Sequence, residues 1–261
     1  MSIDSLPAER QADILDQLRR EGRVLAADLV REFATSEDTI RRDLRDLAAR
    51  GLCRRVYGGA LAISPASADA KTRAEEVPVR KRALGRALAA LVRPGQFLFI
   101  DAGSTNLAAA RALPEDLRAT VATHDPAIAA ALVGRLHLEL LLVGGKVSHH
   151  AGAALGGAAL RTIADLRPDL LLLGACAIDD GAGITAFDPE DADAKRMLVE
   201  NAGSVASAVL NEKLGTTARF GIGPLSALAD LVVEANAPSE ALAIVAAGII
   251  RIHRAEPTQE D

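Results

Sequence analysis

Residues 36 to 63 are the part of this chain with the fewest structural solutions. Ser36-Glu37-Asp38 offers an N-cap followed by acids in a first turn, and Gly51 offers a stop, so the spacing predicts a helix from about Ser36 to Arg50. Ile40, Leu44 and Leu47 recur at helical spacing and share one face; Asp38, Arg42 and Arg45 fall opposite, with Arg41 at the margin. Such a helix packs on a core with one side and offers cations to an anion with the other; the bland alternative is the solvated face of a helical bundle. Leu52 to Ile63 alternates loosely around Gly58-Gly59, which reads as a β-hairpin. Upstream, Pro7 to Glu21 carries a stripe of Ile14, Leu15 and Leu18, with Pro7 suited to a first turn and Gly22 to a stop. Val24-Leu25 is a short extended pair, and Ala26 to Phe33 is a second helix with Leu29, Val30 and Phe33 inward. Helix, helix, turn, helix, hairpin is the outline of a winged helix-turn-helix. In that outline the third helix enters the major groove of double-stranded DNA and the hairpin lies on the backbone or in the minor groove.

Charge supports this locally. Residues 36 to 60 hold six Arg (41, 42, 45, 50, 54, 55) against four acids (37, 38, 43, 46), inside a chain of net charge −5. Aromatics are 2%, which argues against modules that stack single-stranded bases on aromatic platforms. The longest apolar run, the ten residues Ala241 to Ile250, is too short to span a bilayer, and the first twenty residues hold no hydrophobic signal segment. Two cysteines, Cys53 and Cys176, form neither a disulfide framework nor a zinc pattern, so a reducing cytoplasm is expected. His149-His150 has no third ligand at useful spacing; no metal and no cofactor are expected.

At 261 residues the chain leans to two domains. We place the DNA-binding head at 1–63, a small, polar and charged linker at 64–78, an α/β domain at 79–255 and a tail at 256–261. In the α/β domain, aliphatic runs at 97–101, 119–123, 138–143, 169–175, 205–210, 230–234 and 249–253 alternate with helical segments at 105–112, 126–133, 157–165, 190–202 and 239–247. Strands without polar alternation, separated by helices, indicate a largely parallel sheet covered on both faces. Ligands of such sheets lie beyond the carboxyl ends of the strands. The loops there are Asp101 to Thr105, Thr123-His124-Asp125, Gly144-Gly145-Lys146 and the turn after Cys176. Gly103 allows close backbone approach, Ser104 and Thr105 supply hydroxyls, and the helix they open presents amides suited to phosphate. A capped turn without a ligand is the plain alternative. Lysine is rare beside 25 Arg, occurring at 71, 81, 146, 195 and 213 only; Lys195 and Lys213 are candidate point charges for a phosphate.

Two stretches, Ser36 to Leu44 (S-E-D-T-I-R-R-D-L) and Arg55 to Leu61 (R-V-Y-G-G-A-L), resemble the signature of DeoR-type bacterial transcriptional regulators. Asp101-x-Gly103-Ser104-Thr105, Ala122-Thr123, Gly144-Gly145, Asp169, Asp179, Lys195-Arg196-Met197 and Glu212-Lys213-Leu214-Gly215 resemble that family's sensor domain in order, a domain similar in fold to ribose phosphate isomerase. The resemblance covers residues 5 to about 255. It implies repression from a DNA operator under the control of a sugar-derived effector, which the loop at 101–105 suggests is a small phosphorylated sugar; because one winged helix buries too little DNA to be selective, a homodimer or homotetramer is expected. The outward face of the third helix and the hairpin give the expected DNA contacts, Ser36, Asp38, Thr39, Arg41, Arg42, Arg45, Arg54, Arg55, Tyr57, Gly58 and Gly59; the resemblance assigns effector contacts to Asp101 (to sugar hydroxyls or to holding its loop), Gly103, Ser104, Thr105, Gly144, Gly145, Asp179, Lys195 and Lys213, to which the second strand-end loop adds Thr123 and His124. His124-Asp125 and Asn211 depart from the family pattern. The competing reading is a sugar-phosphate isomerase with a fused DNA-binding head, in which Lys195 and Asp179 would transfer protons.

Overall fold

The structure is a computed structural model and describes residues 7–64, 70–75, 78–245 and 250–256. Residues 1–6, 65–69, 76–77, 246–249 and 257–261, on which parts of the expected tail, linker, last helix (239–247) and last strand (249–253) fall, lie outside the described residues. The head runs α1 (Pro7–Glu21), β1 (Arg23–Leu25), α2 (Ala26–Glu32), α3 (Glu37–Ala49), β2 (Cys53–Val56) and β3 (Gly59–Ile63). Ser36 caps α3 by accepting from the Thr39 amide, and Ile40, Leu44 and Leu47 are buried against Ile14, Leu18 and Leu29. Asp43, a polar residue on the inner side of α3, is tied to α1 by Arg10 Nε at 2.6 Å and Gln11 Nε2 at 3.1 Å.

The α/β domain contains α4 (Ala70–Glu75), α5 (Pro78–Ala89), β4 (Phe97–Ile100), α6 (Ser104–Ala112), β5 (Ala119–Thr123), α7 (Pro126–Leu132) and β6 (Leu138–Leu142). It continues with the hairpin β7 (Lys146–Ser148) and β8 (Ala153–Leu155), then α8 (Gly157–Asp165), β9 (Leu170–Leu173), β10 (Ala177–Asp179), β11 (Gly183–Ala186), α9 (Pro189–Asn201) and β12 (Val205–Ala208). It closes with β13 (Thr216–Thr217), β14 (Phe220–Gly223), β15 (Asp230–Val233), α10 (Ser239–Val245) and β16 (Arg251–Arg254). All seven aliphatic runs form one parallel sheet, in the order β16-β15-β12-β9-β4-β5-β6. Phe99, Leu171 and Leu173 face a core with Ile163 and Leu198; Leu98, Ile100 and Leu172 face one with Leu84 and Ile128. Helices on both faces explain why these strands lack polar alternation. The chain starts at β4, lays β5 and β6 on one side, then returns to place β9 on the other, so the order reverses between β4 and β9. Helix crevices open at that point.

Two features depart from the sequence reading. The stretch read as linker holds α4, whose Ala, Lys, Arg and Glu favour helix and which packs near α6. More consequentially, head and sensor share a sheet. β3 pairs antiparallel with β1 and β2, and at its far end runs parallel to β13, with Ala62 opposite Thr216 and Ile63 opposite Thr217. Ser64 adds two bonds across the junction: its amide to the Thr217 carbonyl at 3.0 Å and its hydroxyl to the Cys176 carbonyl at 2.7 Å.

Candidate functional site

The exposed basic face of the head is built by α3. Its N-cap fixes the start, its aliphatic stripe fixes the roll, and Asp38, Arg41, Arg42 and Arg45 are left exposed. Arg41 is held by Glu37 one turn earlier at 2.6 Å, which leaves Arg42 and Arg45 as the outward pair. Tyr57 stands fully exposed at the tip of the hairpin, with Arg55 and Gly58 beside it; it is the chain's one tyrosine. Two expected DNA contacts are spent elsewhere. Arg54, on the opposite side of β2 from Arg55, donates to Thr217 Oγ1 at 2.9 Å and to the Ala218 carbonyl at 3.2 Å. Gly59 is buried, and a Cβ built there would stand 1.9 Å from the Val24 carbonyl oxygen, so glycine is needed for β1 to lie against β3.

The second site is a cavity of about 380 Å³ at the point where the strand order reverses. That volume is in the range of small-molecule pockets. Its walls are the loop after β4 (Gly103, Ser104, Thr105), the loop after β9 (Gly174 to Cys176), the segment after β12 (Glu212, Lys213), Lys81 of α5, Asp191 and Lys195 of α9, and His150 from the β7–β8 turn. Gly103, at φ +143°, starts α6 with no side chain capping it. The first amides of a helix have no intrahelical acceptor, so Ser104 and Thr105 present N–H groups as well as hydroxyls. Lys213 Nζ donates to the Ala175 carbonyl at 2.8 Å.

Under the floor lies a buried polar network. Asp101 has no exposed surface and accepts four bonds: the Ala102 amide (2.8 Å) and His124 Nε2 (2.8 Å) on Oδ1, the Gly174 amide (2.7 Å) and Lys195 Nζ (2.6 Å) on Oδ2. Burial would raise the Asp101 carboxyl, but the Lys195 ammonium and the His124 ring outweigh it and hold it below the usual carboxylate range. Burial works against the Lys195 charge too; Asp101 and Asp191 outweigh it and keep the ammonium above its ordinary value. Asp191 goes the other way, pushed up by burial against the pull of Lys195.

Gly103, Ser104, Thr105, Lys195 and Lys213 therefore converge as expected. Six other candidates do not line the cavity. Asp101 and His124 are sealed below it, with His124 edge-on to Phe99 and its Nδ1 3.1 Å from the Ala154 carbonyl. Thr123 is buried and bridges the Ile100 carbonyl to the Asp125 amide. Gly144 and Gly145 form the exposed turn into β7. Asp179 ends β10 and accepts from the Gly181 and Ala182 amides, so the Lys195–Asp179 proton-transfer pair is not assembled. Lys81, Asp191, Glu212 and His150 are wall residues the sequence reading missed. A signal for Lys81 existed: three of the chain's five lysines line this one cavity.

A winged helix-turn-helix sharing a sheet with a ligand-sized α/β cavity defines an effector-controlled, DNA-binding transcription regulator. Residues 10–66 match the DeoR-like helix-turn-helix domain and residues 76–235 the DeoR C terminal sensor domain. The chain belongs to the DeoR family of transcriptional regulators. The glycerol-3-phosphate regulon repressor of Escherichia coli (strain K12) is 29% identical over 238 residues, covering 91% of this chain and 94% of that protein. The HTH-type transcriptional regulator GlpR of Haloferax volcanii is 32% identical over 212 residues, covering 80% of this chain and 83% of that protein. Among solved structures, the full-length sorbitol operon regulator SorC from Klebsiella pneumoniae is 13% identical, covers 92% of this chain and 99% of that one, and aligns with a TM-score of 0.43. Among the described residues no helix is long and apolar enough to cross a membrane.

Proposed function

We propose that this regulator is a cytoplasmic repressor of a carbohydrate operon, released from its operator when a small phosphorylated sugar or polyol fills the cavity. The observation that carries this is the convergence of Lys81 and Lys213 with the uncapped start of α6 on one small cavity, beside a Lys195 whose charge Asp101 and Asp191 already match. A helix N-terminus flanked by ammonium groups stabilises phosphate. The names of relatives agree in kind: a glycerol-3-phosphate regulon repressor in Escherichia coli and a putative aga operon transcriptional repressor. In this reading the phosphate lies on the amides and hydroxyls of Ser104 and Thr105, with Lys213 adding charge. Arg42, Arg45 and Tyr57 contact DNA, and two or four copies act together. A ligand can loosen DNA only by binding one arrangement of head and sensor better than another. The segment Lys213 to Thr217 runs from the cavity wall to the strand paired with β3, and offers the route. Ser104→Ala combined with Lys213→Ala should leave operator binding intact and abolish its relief by sugar phosphates. Normal relief in that variant would put the effector elsewhere; lost operator binding in a folded variant would refute the separation of sensing from reading.

A further inference from the structure

With the Asp101 carboxylate consumed by four donors, Asp191 is the acid that faces the cavity from α9. It is 6% exposed. Its Oδ1 is sealed and ion-paired with Lys195 Nζ at 3.2 Å without an aligned hydrogen bond, Lys195 aiming its short bond at Asp101 instead, so it is the rest of the carboxylate that lines the cavity and has accepting capacity to spare. A carboxylate left with spare accepting capacity in a buried wall is costly until a donor arrives. Phosphate cannot be that donor, because an ionised carboxylate repels it. Hydroxyl groups can.

We propose that Asp191 is the specificity-determining residue of the cavity: it accepts a hydrogen bond from a hydroxyl of the ligand while the ligand's phosphate lies at the start of α6. This rests on the effector reading above and narrows it. The ligand is a phosphate monoester carrying at least one hydroxyl away from the phosphate; a plain alkyl phosphate fills the anion site without engaging Asp191.

The test is calorimetric titration of the full chain with inorganic phosphate, propyl phosphate, glycerol 3-phosphate, glucose 6-phosphate and fructose 1-phosphate. The wild type should bind at least one hydroxylated ester about tenfold or more tighter than propyl phosphate, the size of one charge-assisted hydrogen bond. Asp191→Leu should erase that preference while propyl and inorganic phosphate bind no more weakly than in wild type, since a carboxylate that repels them is gone. A leucine variant that still binds operator and keeps the preference overturns the proposal. So does one that loses all the phosphates alike, because Asp191 then serves Lys195 rather than the ligand. Should the leucine variant fail to fold, Asp191→Asn carries the test, with the preference expected to fall and an unchanged preference overturning it. A wild type that binds inorganic phosphate but favours no hydroxylated ester sinks this inference alone. A wild type that binds neither sinks the effector reading and this inference with it.

Discussion

Asp43 is 2% exposed, sits on α3 inside the recognition segment, and holds Arg10 of α1, itself 7% exposed, at 2.6 Å. Replacing Asp43 with Ala leaves a guanidinium in the head's interior without this carboxylate and strands Gln11 Nε2 as well. Removing one partner of a buried ion pair costs about 3–5 kcal/mol. Arg10 keeps a further polar contact, so the lower end, about 3 kcal/mol, applies here. A head of about sixty residues has roughly 3–9 kcal/mol of stability on its own, so the change removes a large part of it. The readout is native-state hydrogen exchange of the Leu44 and Leu47 amides, which reports α3 opening without requiring the whole chain to unfold in one step. Protection should fall by roughly a hundredfold for Asp43→Ala. Arg10→Met combined with Asp43→Leu should recover most of it, because well-packed apolar side chains replace such pairs at little cost. Exchange accelerated by less than about tenfold over wild type, or a double variant no better than the single one, would refute the view that α1 positions the recognition helix through this pair.

Three further outcomes follow from the geometry. Arg42→Ala should weaken operator binding by roughly 1–3 kcal/mol where it reads a guanine, affinity should fall steeply with salt, and an Arg41/Arg42/Arg45 triple alanine that folds yet binds unchanged would remove α3 as the reader. Light scattering should show a dimer or tetramer, with operator half-sites about 10 base pairs apart or a multiple of that; a monomer both free and on DNA contradicts this. The depressed Asp101 carboxyl contributes stability that is present above its unfolded value near 4 and lost as pH falls below it, while the raised Lys195 contributes stability present below about 10 and lost as pH rises past it. Denaturant titrations of wild type and Asp101→Asn should therefore converge as pH drops below about 4, and parallel curves there would show no such linkage.

Much of the scaffold was legible because its signals are long and redundant. The runs FLFI and LLLL can be little other than buried strands, and Ile40, Leu44 and Leu47 fix the roll of α3. The short antiparallel pieces β7, β8, β10, β11 and β14 escaped notice because three or four residues carry no period. β13 is two threonines, made a strand only by the partner edge that β3 offers. In the cavity, Gly103 to Thr105 could be read because the chemistry belongs to backbone and turn. Asp179 misled, and Asp101 stayed open between touching sugar hydroxyls and holding its loop, for one physical reason. Position at a strand end shows that a carboxylate is near a crevice, not whether neighbouring amides and ammonium groups have already used its oxygens. Asp191 was hidden in an acidic run whose other members, such as the N-cap Asp188, serve the helix itself.

The strand pair β3–β13 also bears on how such regulators can be recombined. A cut in the covalent chain near residue 64 looks like a clean place to attach a foreign head, yet it would leave Thr216 and Thr217 without their neighbour and Gly215 without the close fit of Gly22. The true seam is a surface, not a point: it includes Gly22, Arg54 and Ala62 on one side and Gly215, Thr217 and Ala218 on the other. Chimeras that exchange both sides of the seam together should keep effector response, whereas those cut only at the linker should bind DNA and stay deaf to the ligand.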